Sequence, residues 1–208
     1  VFNATSANSW GDKISTRAGG QDAINTAGER FVGEDGRIVY PITKKNAQDV
    51  FVDQNFDQVF QQGFVTDNNI TFSGGGAKTN NYFSAGYLNQ EGIIKNSAYT
   101  RASIRFNNQT QMSDKFVLTT KANYVHSSAN RIQQNSNTAG MYLGLLRTPP
   151  DFDNSIYKGT HFSAAGVATP NRQRSYRRYL GNNINPTWNN PGWTVFGQKA
   201  PTTVQRFA

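Results

Sequence analysis

From Gly86 to Phe106 the chain reads GYLNQEGIIKNSAYTRASIRF, an alternating run, a polar turn containing Gly92, and a second alternating run. On the return limb Arg101, Ser103 and Arg105 take one side, and Ala102, Ile104 and Phe106 take the other. This period of two predicts a β-hairpin with one polar and one apolar face. The flanking segments repeat it. Residues 64–74 set Phe64, Ile70 and Phe72 on one parity, with Asp67 and Asn69 on the other. Residues 79–90 run back and 98–110 return. Residues 116–127 form a fourth strand, with Phe116, Leu118, Ala122 and Tyr124 together and Lys121 and Asn123 opposite. Short turns fall at Gly74–Lys78 and Gln111–Lys115, and a longer loop at Glu91–Asn96. Two parities stay open. Tyr82 and Phe83 are adjacent aromatics, and Tyr99 and Phe106 have opposite parity, so one of that pair faces inward.

Strands of about eleven residues exceed the ~5–6 of ordinary globular strands and match the ~9–11 that cross a bilayer. Phe64 and Phe72 share a face eight residues apart, as do Phe116 and Tyr124. Eight residues span roughly 26 Å of strand, or roughly 20 Å of height at a tilt of about 40°, near the ~25 Å apolar band of outer-membrane barrels. The predicted fold class is all-β. It is an antiparallel up-and-down meander, a partial segment of a large transmembrane β-barrel with long extracellular loops.

The flanks lack a sustained period. Residues 1–63 read as an outer loop leading into the barrel, with a helical turn around 46–60. Residues 64–127 hold the four transmembrane strands, and 128–201 a long extracellular loop. In that loop Met141 to Leu146 predict a short helix stopped by Pro149-Pro150. Residues 202–208 start the next strand. The chain opens at Val1, which leads to the expectation of a piece of a longer protein.

Apolar residues make up 36% of the 208 and aromatics 12%, a balance suited to strands that bury one face only. The net charge of +8 comes from scattered cations, apart from Arg172, Arg174, Arg177 and Arg178. That cluster reads as a solvated loop; pairing with an acidic partner or anionic lipopolysaccharide is the sharper alternative. No nucleic-acid motif is present, so no nucleic-acid partner is expected. With no cysteine, thiol chemistry is absent. His126 and His161 lack metalloprotease spacing, and no nucleophile elbow occurs. Gly74-Gly75-Gly76 is a turn rather than a phosphate loop. Asp151, Asp153 and Asn154 offer oxygen ligands, but Asx turns explain them equally. The chain is expected to be no enzyme, with no catalytic residues, no cofactor and no metal. Substrate-contact candidates are the loop aromatics Trp10, Tyr142, Tyr157, Trp188 and Trp193; packing of loop on loop is their alternative. Lumen-facing candidates by parity are Asp67, Asn69, Arg101, Arg105, Lys121 and Asn123.

The stretch NNITFSGGGAKTNNYFSAGYLNQEGIIKNSAYTRASIRFN resembles the SusC/RagA family of TonB-dependent outer-membrane transporters. WGDKI, FQQGF, LLRTPPDFDN and NNPGWTVFGQ add to the likeness in family order. The resemblance implies a plugged 22-stranded barrel in the Gram-negative outer membrane, importing an oligosaccharide or peptide. It implies a SusD-like surface lipoprotein as lid, the TonB–ExbB–ExbD complex as energy source, and outer-membrane lipid around the wall. The plug and TonB box have no counterpart in these residues. The alternatives are a soluble β-sandwich carbohydrate-binding module and a non-transporting barrel such as an adhesin or porin.

A soluble sandwich and a barrel wall respond differently to isolation. The 208-residue chain alone in detergent-free buffer is expected to aggregate through open strand edges. A cooperative thermal melt there would instead identify a sandwich.

Overall fold

The computed structural model describes residues 13–182 and 189–197, together with the backbone of 201–207. The chain divides into two compact units, Gln61–Arg131 with Lys199–Ala208, and Val1–Phe60 with Ile132–Gln198. Antiparallel strands dominate the chain as a whole, so the protein is all-β with short helices.

The first unit is a single antiparallel sheet. Its long strands are β5 (Val65–Gly76), β6 (Thr79–Glu91), β7 (Ala98–Ser113) and β8 (Phe116–Asn130). A further strand, β11 (Pro201–Phe207), pairs with β8, giving the order β11-β8-β7-β6-β5. Both tight connections are two-residue turns, Ala77-Lys78 and Asp114-Lys115. The first closes directly on the Gly76–Thr79 pair. The second follows a register shift between Gln111 and Ser113, which makes Met112 the extra residue of a bulge. At the opposite end Asn96 adopts a positive φ of 61° in the loop joining β6 to β7, a conformation asparagine tolerates better than most residues. Beside it, Ser97 N–H returns to Ile94 O at 3.0 Å. Gly75 has no room for a side chain, since a Cβ would lie 2.5 Å from Thr79 O.

The second unit is built from the segments that read as loops. β2 (Arg30–Gly33), β3 (Ile38–Val39), β9 (Lys158–Phe162) and β10 (Ala168–Gln173) form a sheet in the order β10-β9-β2-β3. β1 (Ala23–Ile24) and β4 (Ile42–Lys44) form a small ladder. α1 (Val52–Val59) occupies the predicted helical stretch, and α2 (Met141–Arg147) stops before Pro149-Pro150 as expected. The core is small: Phe31, Phe152, Ile156, Tyr176, Tyr179 and Leu180. Phe31 is fully buried, and Gly181, at φ 72°, leaves space for its ring, where a Cβ would sit 2.5 Å away.

Buried amides add to this modest core. Asn55 Nδ2 donates to Phe152 O at 2.8 Å, and its Oδ1 accepts from Asn154 N at 2.9 Å. Asn190, with no exposed surface, donates from Nδ2 to Arg174 O at 2.5 Å and to Asn154 O at 3.2 Å. Its Oδ1 accepts Gly192 N–H at 2.8 Å, and its own N–H reaches Gln173 Oε1 at 2.9 Å. Four stretches far apart in sequence are thereby tied through side-chain amides.

Asn190→Ala is expected to cost about 1–3 kcal/mol for each buried partner left bare. Asn190→Asp should cost more, because its carboxylate would face carbonyl oxygens. Hydrogen exchange across 150–160 and 173–175 reads both; protection equal to the parent in Asn190→Asp would contradict the network.

Candidate functional site

Register decides which side chains share a surface. Across β5, β6, β7 and β8 one row reads Phe72, Phe83, Phe106, Ala122, and the next Ile70, Ala85, Ile104, Tyr124. A third reads Asn68, Tyr87, Ala102, His126. The rings of Phe72 and Phe83 lie 6.3 Å apart. This settles the two open parities: Phe83 and Phe106 belong to the apolar face, Tyr82 and Tyr99 to the other.

The rows of that other face are polar. Asp67, Leu88, Arg101 and Ser127 align, as do Asn69, Gly86, Ser103 and Val125. Thr71, Ser84, Arg105 and Asn123 follow, then Ser73, Tyr82, Asn107 and Lys121. Asp67, Asn69, Arg101, Arg105, Lys121 and Asn123 therefore share one face. Asp67, Arg101, Arg105 and Lys121 are the charged residues of these four strands, apart from Glu91 at the loop end of β6. Asn69 Nδ2 donates to Asp67 Oδ1 at 2.9 Å, and Gly86 makes room for the Asn69 amide, whose Oδ1 would lie 2.5 Å from a Cβ there. The cations outnumber the carboxylate, so the polar face is positive. The apolar face is uncovered: Phe72 is 64% exposed, Ile70 59% and Ile104 47%.

The loop aromatics fall into two sets. Tyr157 lies against Phe196 at 5.7 Å, and Trp193, three residues before it in a π-helical turn (Trp193–Gly197), covers Gly197. Tyr142, on α2, stands 6.0 Å from Phe60, which stacks on Phe56 at 5.7 Å. Trp10 and Trp188 lie outside the described residues. Of the Phe56–Phe60–Tyr142 row, Tyr142 was a sequence candidate and Phe56 and Phe60 were not. The four-residue spacing of Phe56 and Phe60 was its signal, visible once α1 is known to end beside α2.

The arginine cluster is not a solvated loop. Arg174 and Arg177 are buried. Arg174 donates to Tyr179 O and Asp153 O, both at 3.0 Å, and its guanidinium lies 4.4 Å over the Phe152 ring. Burial disfavours its charge and pushes the Tyr179 phenol up to about 12. The oxygen-ligand candidates are spoken for as well. Asp151 pairs with Arg17 at 2.7 Å, Asp153 with Arg37 at 3.1 Å, and Asn154 belongs to the amide network. His161 meets Glu29 at 2.7 Å. His126 lies on the apolar face.

No family model matches the chain. A stretch of 45 residues, 22% of the chain, is 44% identical to the TonB-dependent receptor P39 of Formosa agariphila. The match covers 4% of that protein's length, so the chain corresponds to a small part of it. The likeness is to TonB-dependent receptors in general.

Asp22 provides a pH test. Burial works against its charge, but Lys45 Nζ at 2.6 Å and the N–H groups of Asn46 and Ala47 at 2.7 and 2.8 Å outweigh it. Its carboxyl is held below 3.8, so its stabilisation is full above that pH and is lost as pH falls through the lower folded value. Acid should therefore loosen residues 44–47 first. Asp22→Asn should flatten that dependence in hydrogen exchange; an unchanged acid profile would contradict the assignment.

Proposed function

We propose that this chain is part of the wall and outer loops of a TonB-dependent importer in the Gram-negative outer membrane, of the SusC/RagA type. Charge segregation carries the reading. Within the four long strands, Asp67, Arg101, Arg105 and Lys121 all take one face, while Ile70, Phe72, Phe83, Ile104 and Phe106 take the other. A two-sheet sandwich would bury that apolar face; here its aromatics stand open. The apolar band also runs diagonally, from Phe64 just before β5 to Leu118, which pairs with Thr110 near the turn end of β8. Strands tilted to a barrel axis require such a drift.

In this reading the apolar face meets lipid and the positive face lines the lumen. The two short turns point to the periplasm, and residues 1–63 and 128–201 supply outer loops. The cargo is an oligosaccharide or peptide, a SusD-like lipoprotein closes over the outer loops, and TonB–ExbB–ExbD supplies energy through parts beyond this chain. The partial likeness to a TonB-dependent receptor supports the coarser half of the proposal.

The full-length protein should sediment with outer membrane and leave it only in detergent. Recovery from the soluble fraction would refute the proposal. Ile104→Lys should cost about 2–4 kcal/mol if Ile104 lies near the bilayer midplane, with Ser103→Lys much milder. Equal effects in folding titrations from detergent would refute the face assignment. Uptake of cargo should stop in cells lacking TonB.

A further inference from the structure

The helix α2 reads MYLGLLR, apolar or aromatic around its whole circumference until Arg147. Met141, Gly144 and Leu145 are buried within the second unit. Tyr142 and Leu143 are exposed on the opposite side, and Leu146 there is 68% exposed. A helix that is apolar all round is ordinarily covered all round. Here one side has no cover.

The exposed side of α1 extends the same surface. Asn55 and Val59 are its buried side, where the Asn55 amide meets Phe152 O. Val52 and Phe56, one helical turn apart, are exposed, and Phe60 follows at the same spacing. The rings run on from one helix to the other. Phe56 stacks on Phe60 at 5.7 Å, and Phe60 lies 6.0 Å from Tyr142. The two helices thus make one continuous apolar face, unlike the single exposed apolar residues normal for a protein surface.

The border of this face is acidic. Asp53 and Asp57 lie beside the Val52–Phe56–Phe60 stripe, on the side away from Val59. α1 (VDQNFDQV) holds no cation. Arg147, at the end of α2, already donates to Asn137 O at 2.9 Å. These charges decide between occupants. A helix that beds into an anionic membrane surface carries Lys or Arg along its polar face, and α1 carries aspartates instead. A second copy of this chain would present the same carboxylates. Complementarity calls for an apolar centre bordered by cations.

We propose that the α1–α2 face docks a separate protein whose contact patch has an apolar centre and a Lys- or Arg-rich border. Phe56, Phe60 and Tyr142 form the aromatic middle, the part of an interface where contact energy concentrates. Leu143 and Leu146 project into the partner's apolar surface, and Asp53 orients it through the border. All of these groups lie within one folded unit, so the face does not depend on what the long strands span.

The test places a photo-crosslinking amino acid at Leu143 of the full-length protein, in its own cells, and sequences the crosslinked peptides. One foreign protein should dominate, joined through an apolar segment with Lys or Arg beside it. With that partner purified, Leu146→Ser, which alters an exposed side chain only, should weaken its binding to the full-length protein in uncharged detergent by about tenfold. Asp53→Lys, with α1 checked by hydrogen exchange, should weaken binding more at low salt than at high salt. Crosslinks to lipid, to a second copy or to the protein's own chain would overturn the proposal. So would no crosslink at all, or parental affinity in either variant.

Discussion

A slip of one residue between β7 and β8 would put Phe72, Phe83 and Phe106 on the side of Lys121. Side chains alternate with a period of two, so register and face are one variable. Several features pin it. Ala77-Lys78 fixes the first hairpin, and Asp114-Lys115 with the bulge at Met112 fixes the second. Near the first turn, Thr79 and Thr110 share a hydrogen bond at 3.1 Å, and Asn108 donates to Asn81 at 2.6 Å. These groups sit on the apolar parity just beyond the Phe72–Phe83–Phe106 row. They bound the apolar band where the strand approaches its turn.

The second unit solves a different problem. Its apolar core is centred on Phe31, and Asn55, Asn154, Gln173 and Asn190 bind its segments through backbone groups those segments could not pair in regular strands. A buried amide is costly unless fully matched, and that cost makes such a network specific. Arg174 follows the same logic, with two carbonyls and two aromatic faces in place of water. A chain poor in apolar residues can therefore hold long connections in one conformation.

These two constructions explain what was legible. The long strands were, because alternation over a dozen residues is a strong signal: β6, β7 and β8 begin at the expected Thr79, Ala98 and Phe116 and run one to three residues past their expected ends. Tyr82 against Phe83 was not legible, because the partner strands decide it, and Phe83 falls between Phe72 and Phe106. The sheet of the second unit was hidden because its strands are two to six residues long and its central pair, β2 with β9, spans more than a hundred positions, as Phe31 does with His161. The arginine cluster misled for a related reason: nothing near Arg174 in sequence announces Phe152 above it. Tyr157 and Trp193 were found as aromatics, but their neighbours Phe196 and Gly197 were visible only in the fold.

The alternation of β7 can be measured directly, since these 208 residues contain no cysteine and any elsewhere in the protein can first be replaced. Single cysteines placed from Arg101 to Phe106 in the full-length protein, in its membrane, can be probed with a lipid-soluble quencher and a water-soluble thiol reagent. The account predicts a period of two. Positions 102, 104 and 106 should be quenched from lipid, and 101, 103 and 105 should react from water. Uniform aqueous reactivity, or the opposite phase, would contradict it.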